Sequence, residues 1–182
     1  ASESLLGRTG VDQINKDIST RVLIGGLGLG FTLKSVLESG NPKMKVVLAE
    51  LVPEVIEWNR TYLKALNGVL LDDPCVDIKR VDVIDLIRNT EPRTYDAILL
   101  DVDNGPVAMV DVNNDQLYST SGIRLMCRVL KKGGRIAVWS AGPDLKFENR
   151  LGKFNCKFQS VPAKVYDGAK RARNMLYIID PN

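Results

Sequence analysis

Arg21-Val-Leu-Ile-Gly-Gly-Leu-Gly-Leu-Gly30, followed by Lys45-Val-Val-Leu-Ala-Glu50, decides how this chain is read. The first stretch is an apolar run ending in glycines at 26, 28 and 30, the mark of a buried strand that turns sharply into a helix. Glycine suits that bend because a Cβ there would block a ligand's approach to the backbone. The second run ends in Glu50, a carboxylate placed to accept hydrogen bonds from two ribose hydroxyls. Together the two runs describe a nucleoside-binding crevice. The spacing is GxGxG rather than GxGxxG, because Phe31 occupies the third position of the dinucleotide fingerprint. S-adenosylmethionine or a relative therefore fits better than a nicotinamide dinucleotide.

Outward from this pair, strand-like runs alternate with amphipathic stretches. The pattern predicts Val22–Gly25 then a helix over Thr32–Ser39, and Lys45–Glu50 then a helix over Pro53–Leu66 closed by Asn67-Gly68. Next come Val76–Val81 then Val83–Arg88, Tyr95–Asp101 then Ser119–Leu130 closed by Gly133-Gly134, and Arg135–Ser140 then Asp144–Leu151. Such alternation means βαβ units, hence an α/β fold with a mostly parallel sheet. Asn155–Tyr166 and Asn174–Ile179 add a closing hairpin across the basic loop Asp167-Gly-Ala-Lys-Arg-Ala-Arg173. Residues 1–20 are polar and read as a lead-in with room for a short helix, and 21–182 as the nucleoside-binding domain. The connection from Val102 to Tyr118 is too long for an ordinary strand-to-helix loop and reads as a functional lid.

At 182 residues the chain is one domain's worth. Its three cysteines, Cys75, Cys127 and Cys156, are odd in number and far apart, which suits neither a disulfide framework nor a metal cluster. A reducing, cytoplasmic setting is the expectation. There is no histidine, so acid–base work falls to carboxylates, tyrosine, lysine or water, and the commonest zinc ligand is missing. No apolar run is long enough to span a membrane. A net charge of +3 is too mild to argue for nucleic acid.

Ligands of open α/β sheets bind outside the carboxyl ends of the strands, where Glu50, Asp82 and Asp101 each follow a strand-like run. Asp82 is placed to accept the exocyclic amine of adenine, with the Val83 amide facing the ring; the competing role is a helix N-cap. Leu99-Leu-Asp-Val-Asp-Asn-Gly-Pro106 sets Asp101 and Asp103 at the crevice mouth with Asn104 beside them. From Thr94 to Ile123 the chain carries Asp96, Asp101, Asp103, Asp111 and Asp115 but no Lys or Arg. That negative field favours a cationic substrate such as a polyamine, with Asp101 and Asp103 to orient an amine and take its proton and Asn104 to bind it. The plainer reading is a long loop populated by turn-forming Asp and Asn. Lys170, Arg171 and Arg173 read as a solvated hairpin tip, and Trp58 and Trp139 as packing residues.

With these residues in view, the chain resembles the spermidine synthase (polyamine aminopropyltransferase) family. The resemblance runs from about Arg21 to Ser140 through the glycine stretch, Ala49-Glu-Leu-Val-Pro-Glu-Val-Ile-Glu57, Asp72-Asp-Pro-Cys-Val-Asp-Ile-Lys-Arg-Val-Asp82, Tyr95-Asp-Ala-Ile-Leu-Leu-Asp101 and Leu130-Lys-Lys-Gly-Gly134. It implies a three-layer Rossmann-like methyltransferase fold with a seven-stranded sheet, and an aminopropyl transfer that needs no metal. It also implies that Gly26, Gly28, Gly30, Glu50, Leu51, Asp82 and Val83 line the site for S-adenosylmethionine or its decarboxylated form, and that Asp101 faces the attacking amine. The acceptor is expected to be a small amine or other small molecule, and a homodimer is compatible with this reading. Two positions depart from the family pattern. Leu29 stands where the family places an Asp against the aminopropyl amine, and Asn104 where it places a second acid, although Asp103 is adjacent.

Two other functions fit the same crevice. A methyltransferase using S-adenosylmethionine itself needs no acid at position 29. A cation-dependent O-methyltransferase would use Asp101 and Asp103 as ligands but lacks an Asp-Asn pair after the fifth strand, where Trp139-Ser-Ala-Gly142 stands. A non-catalytic nucleoside-binding protein would keep the crevice and shed its catalytic acids.

Overall fold

The computed structural model describes residues 1–102, 105–107, 116–154 and 156–182. Strands Thr20–Gly25 (β1), Met44–Ala49 (β2), Val76–Lys79 (β3), Tyr95–Leu100 (β4), Leu130–Ser140 (β5), Cys156–Ala163 (β6) and Asn174–Pro181 (β7) form one seven-stranded sheet in the order β3-β2-β1-β4-β5-β7-β6. The five strands from β3 to β5 in that order pair in parallel, and β7 runs antiparallel to both β5 and β6. The expected α/β class and the C-terminal hairpin are therefore present.

The strands sit between two helical layers, and the side-chain alternation of each strand divides the core. Leu23, Val47, Ile98, Leu100, Ile136 and Val138 pack with helices Val83–Arg88 (α4), Thr120–Val129 (α5) and Leu145–Leu151 (α6). Val22, Ile24, Val46, Leu48, Ala97 and Leu99 pack instead with Ser2–Val11 (α1), Phe31–Ser39 (α2) and Pro53–Arg60 (α3). Burial on both faces explains why the central runs are continuously apolar rather than alternating. No helix among the described residues is long and apolar enough to cross a membrane.

Two local expectations change. The helix expected over Pro53–Leu66 ends at Arg60, and the chain then coils through turns into a short 3-10 segment, Gly68–Asp72. Gly68 lies against the Asn59 carbonyl, where a Cβ would sit 1.9 Å from the oxygen, so a straight helix gives way to a return. Gly133 does not follow a helix end. The chain passes from α5 directly into β5, and Gly133 (φ +77°) lies inside that strand, where the register with β4 jumps between Tyr95↔Leu130 and Ala97↔Arg135. The short helix for which residues 1–20 had room is α1, which packs on α2 through Gly7 and on β4 through Gly10. A Cβ at either glycine would lie 2.7 Å from Ser35 or Leu99 side-chain atoms. Ser35 Oγ donates to Ser4 O at 2.7 Å, and Arg135 Nη1 to Thr9 O at 2.9 Å, so α1 is fastened at both its ends.

Candidate functional site

In the order above, β1 and β4 are neighbours whose connections leave in opposite directions, which opens a crevice at their carboxyl ends. A cleft of about 550 Å³ lies there, and Gly26, Gly28, Glu50, Leu51, Asp82, Val83 and Asp101 all line it. The backbone sets the spacing. Gly26 N donates to Ala49 O and Asp101 N to Gly25 O, each at 2.8 Å. At Gly26 (φ +89°) a Cβ would lie 2.2 Å from Asp101 O, so only glycine lets the bend close onto the end of β4. Gly28 (φ +48°) has nothing within 4 Å of its Cβ position. Gly30 (φ +81°) caps α2 and is not part of the cleft lining; a Cβ there would touch Asn67 Cβ at 3.0 Å.

This contrast gives a stability prediction. Gly26→Ala combines a left-handed backbone with a collision and is expected to cost about 2–5 kcal/mol in denaturant unfolding, against about 1–2 kcal/mol for Gly28→Ala. Equal losses would remove the close approach to Asp101 as the reason for glycine.

Glu50 is 8% exposed, and its two oxygens accept from Leu27 N at 2.9 Å and Val52 N at 2.8 Å. It therefore ties the glycine loop to the start of α3, and each oxygen keeps a second lone pair for a ligand hydroxyl. Asp82 is the N-cap of α4, with Oδ1 accepting from Ile84 N at 3.0 Å. The cap and the cleft-facing position coexist, since capping uses one of its two oxygens. Leu51 is 56% exposed at the cleft wall.

Asp101 carries altered chemistry. Desolvation pushes its carboxyl up to about 6, opposed by the Thr32 hydroxyl, which donates to Oδ2 at 2.6 Å, and assisted by the negative charge of Glu3. Perturbation by burial in a cleft is the setting expected of a proton-handling group. Asp103 and Asn104 lie outside the described residues, as does the 108–115 stretch with Asp111 and Asp115. Of the expected lid, Gly105 is pressed against the Trp139 carbonyl, where a Cβ would lie 2.2 Å from the oxygen. Trp139 itself lines the cleft rather than serving only as packing. Among the described residues, no three His, Cys, Asp or Glu side chains gather as metal ligands.

The spermine/spermidine synthase domain matches residues 10–151. The chain belongs to the spermine/spermidine synthase family. Relatives in that family include the polyamine aminopropyltransferase of Mycobacterium tuberculosis (strain CDC 1551 / Oshkosh), 30% identical over 129 residues, covering 70% of this chain and 24% of the relative. The polyamine aminopropyltransferase of Corynebacterium efficiens is 35% identical over 127 residues, covering 67% of this chain and 22% of the relative. The chain thus spans about a quarter of the length of these two family members. The crystal structure of spermidine synthase from Thermotoga maritima superposes with a TM-score of 0.72 over 98% of this chain and 58% of that one, at 21% identity, which shows a shared fold.

Two groups, one lining the cleft of this family member and one behind it, were not singled out from its sequence. Glu3 reaches the cleft from α1, and Thr32, 1% exposed on α2, lies between Asp101 Oδ2 and the Glu3 carbonyl at 3.3 Å. A polar triplet Ser2-Glu-Ser4 gives no sign of burial by itself. The readable signal was the small-residue spacing of Gly7 and Gly10, which lets α1 lie close to the sheet.

Proposed function

We propose that this domain binds a sulfonium nucleoside, decarboxylated S-adenosylmethionine, and transfers its aminopropyl group to a small amine. The observation that carries the reading is the meeting, in one cleft, of the glycine bend, the Glu50 brace and the desolvated Asp101. Family membership and the aminopropyltransferase relatives support it. Glu50 would accept the ribose hydroxyls, Asp82 and Val83 would flank adenine, and Leu51 would cover the sugar. Asp101 would hold the amine and take its proton. The amine nitrogen forms a bond to the carbon next to sulfur, the C–S bond breaks with its electron pair passing to sulfur, and neutral methylthioadenosine leaves. The positive sulfur already makes a good leaving group, so alignment and desolvation supply most of the acceleration.

Leu29, 52% exposed on the cleft wall, supports a second reading. Its side chain cannot hold an ammonium, and it does not repel a carboxylate, which suits methyl transfer from S-adenosylmethionine. Calorimetry with both forms of the co-substrate and with methylthioadenosine, followed by turnover with putrescine, separates the readings. Tighter binding of the decarboxylated form, with methylthioadenosine released, is the expected result. Tighter binding of the carboxylated form would replace aminopropyl by methyl transfer, and binding without turnover on any amine would leave a nucleoside-binding protein.

A further inference from the structure

Behind the glycine loop lie two buried side chains that the reaction above does not use. Asn59, on α3, is 1% exposed and donates from Nδ2 to Gly28 O at 2.8 Å and Val55 O at 2.9 Å. Asn67 is 2% exposed and donates from Nδ2 to Leu29 O at 2.8 Å. Both Oδ1 atoms are buried and accept no hydrogen bond among the described residues. Exchanging oxygen and nitrogen in either carboxamide would only set Oδ1 against a carbonyl oxygen. A buried idle acceptor costs about 1–3 kcal/mol, a cost that an isosteric leucine would not carry. What the two asparagines do in return is grip consecutive carbonyls of the loop.

The consequence follows from peptide geometry. The described peptides are all trans, so each N–H points opposite its own C=O. Drawing the Gly28 carbonyl to Asn59 turns the Leu29 N–H the other way. Drawing the Leu29 carbonyl to Asn67 turns the Gly30 N–H the other way, and it donates to Leu27 O at 2.8 Å. The Gly28 and Leu29 N–H groups donate to no backbone acceptor among the described residues, and both residues line the cleft. Successive free amides in a loop with positive φ make a concave set of donors.

We propose that Asn59 and Asn67 are positioning residues, a clamp that orients the Gly28–Leu29 stretch so that its free N–H groups meet the bound nucleoside. The proposal rests on the nucleoside reading of the cleft. The test compares Asn59→Leu, Asn67→Leu and wild type in the whole chain by thermal melting, methylthioadenosine calorimetry and amide NMR shifts of Gly28 and Leu29 on titration. Each variant is expected to melt close to the wild-type temperature, because the idle acceptor removed offsets the loop carbonyl left without its donor, to bind about tenfold more weakly, and to lose the ligand-induced shifts at the two amides. A purely structural role would give the reverse pattern: lower melting with unchanged affinity and shifts. That result would overturn the clamp. If Asn59→Leu does not fold, Asn67→Ala carries the same comparison. Wild type that binds no adenosine nucleoside would remove the nucleoside reading and the clamp with it, whereas variants that bind as wild type does would remove the clamp alone.

Discussion

Glu50→Ala is expected to lower affinity for adenosine nucleosides at least about hundredfold, since bonds to a charged acceptor are each worth about 1.5–3 kcal/mol. Two losses combine. The ribose loses its acceptors, and the Leu27 and Val52 amides lose the carboxylate that fixes the loop against α3. Glu50→Gln separates them: its amide oxygen can serve one backbone N–H, but its NH₂ faces the other donor. Calorimetry with adenosine and 2′,3′-dideoxyadenosine reads the ribose contribution directly. Wild type should discriminate strongly between them, and the Glu50 variants should not. Wild-type affinity in Glu50→Ala would end the assignment of this cleft to a nucleoside.

Asp101→Asn is expected to keep nucleoside affinity within about tenfold while lowering amine turnover by about 10²–10⁴, the range for loss of a positioned proton acceptor. Asparagine keeps the shape and the bond from Thr32 but can take neither the charge nor the proton of an amine. The pH profile offers a second measurement. Burial raises the Asp101 carboxyl to about 6, so the ionised form needed to hold and deprotonate an ammonium is populated only as pH rises through that value. kcat/KM should therefore climb with a one-proton slope and level off above about pH 6. Glu3→Gln removes a negative charge that disfavours ionisation, so its limb should move to lower pH. A profile indifferent to both substitutions would remove Asp101 from proton handling.

The alternation of strands and helices was readable because parallel strands buried on both faces leave long apolar runs, as Ala97–Leu100 shows with complete burial. Glu50 and Asp101 were readable for a related reason: each is the first polar residue after such a run, while Asp82 closes the strand-like Val76–Val81 stretch, and the topology gathers the three positions. What escaped was carried by packing between small groups. The hold of α1 on the sheet depends on missing side chains at Gly7 and Gly10, which weaken its apolar periodicity. The early end of α3 at Arg60 depends on Gly68 fitting against a carbonyl, a contact between segments that no local propensity encodes. Gly133 shows a third limit, since one pair of glycines serves equally well as a helix stop or as a bulge within a strand.

The bonds from Asp101 N to Gly25 O and from Gly26 N to Ala49 O belong to the main chain, not to any side chain. Divergence at the walls therefore leaves the distance between the bend and the acid untouched. A descendant can trade Leu29 or Leu51 for another residue and adopt a new acceptor without rebuilding its frame, so chemical repertoire and architectural integrity evolve here as separate inheritances.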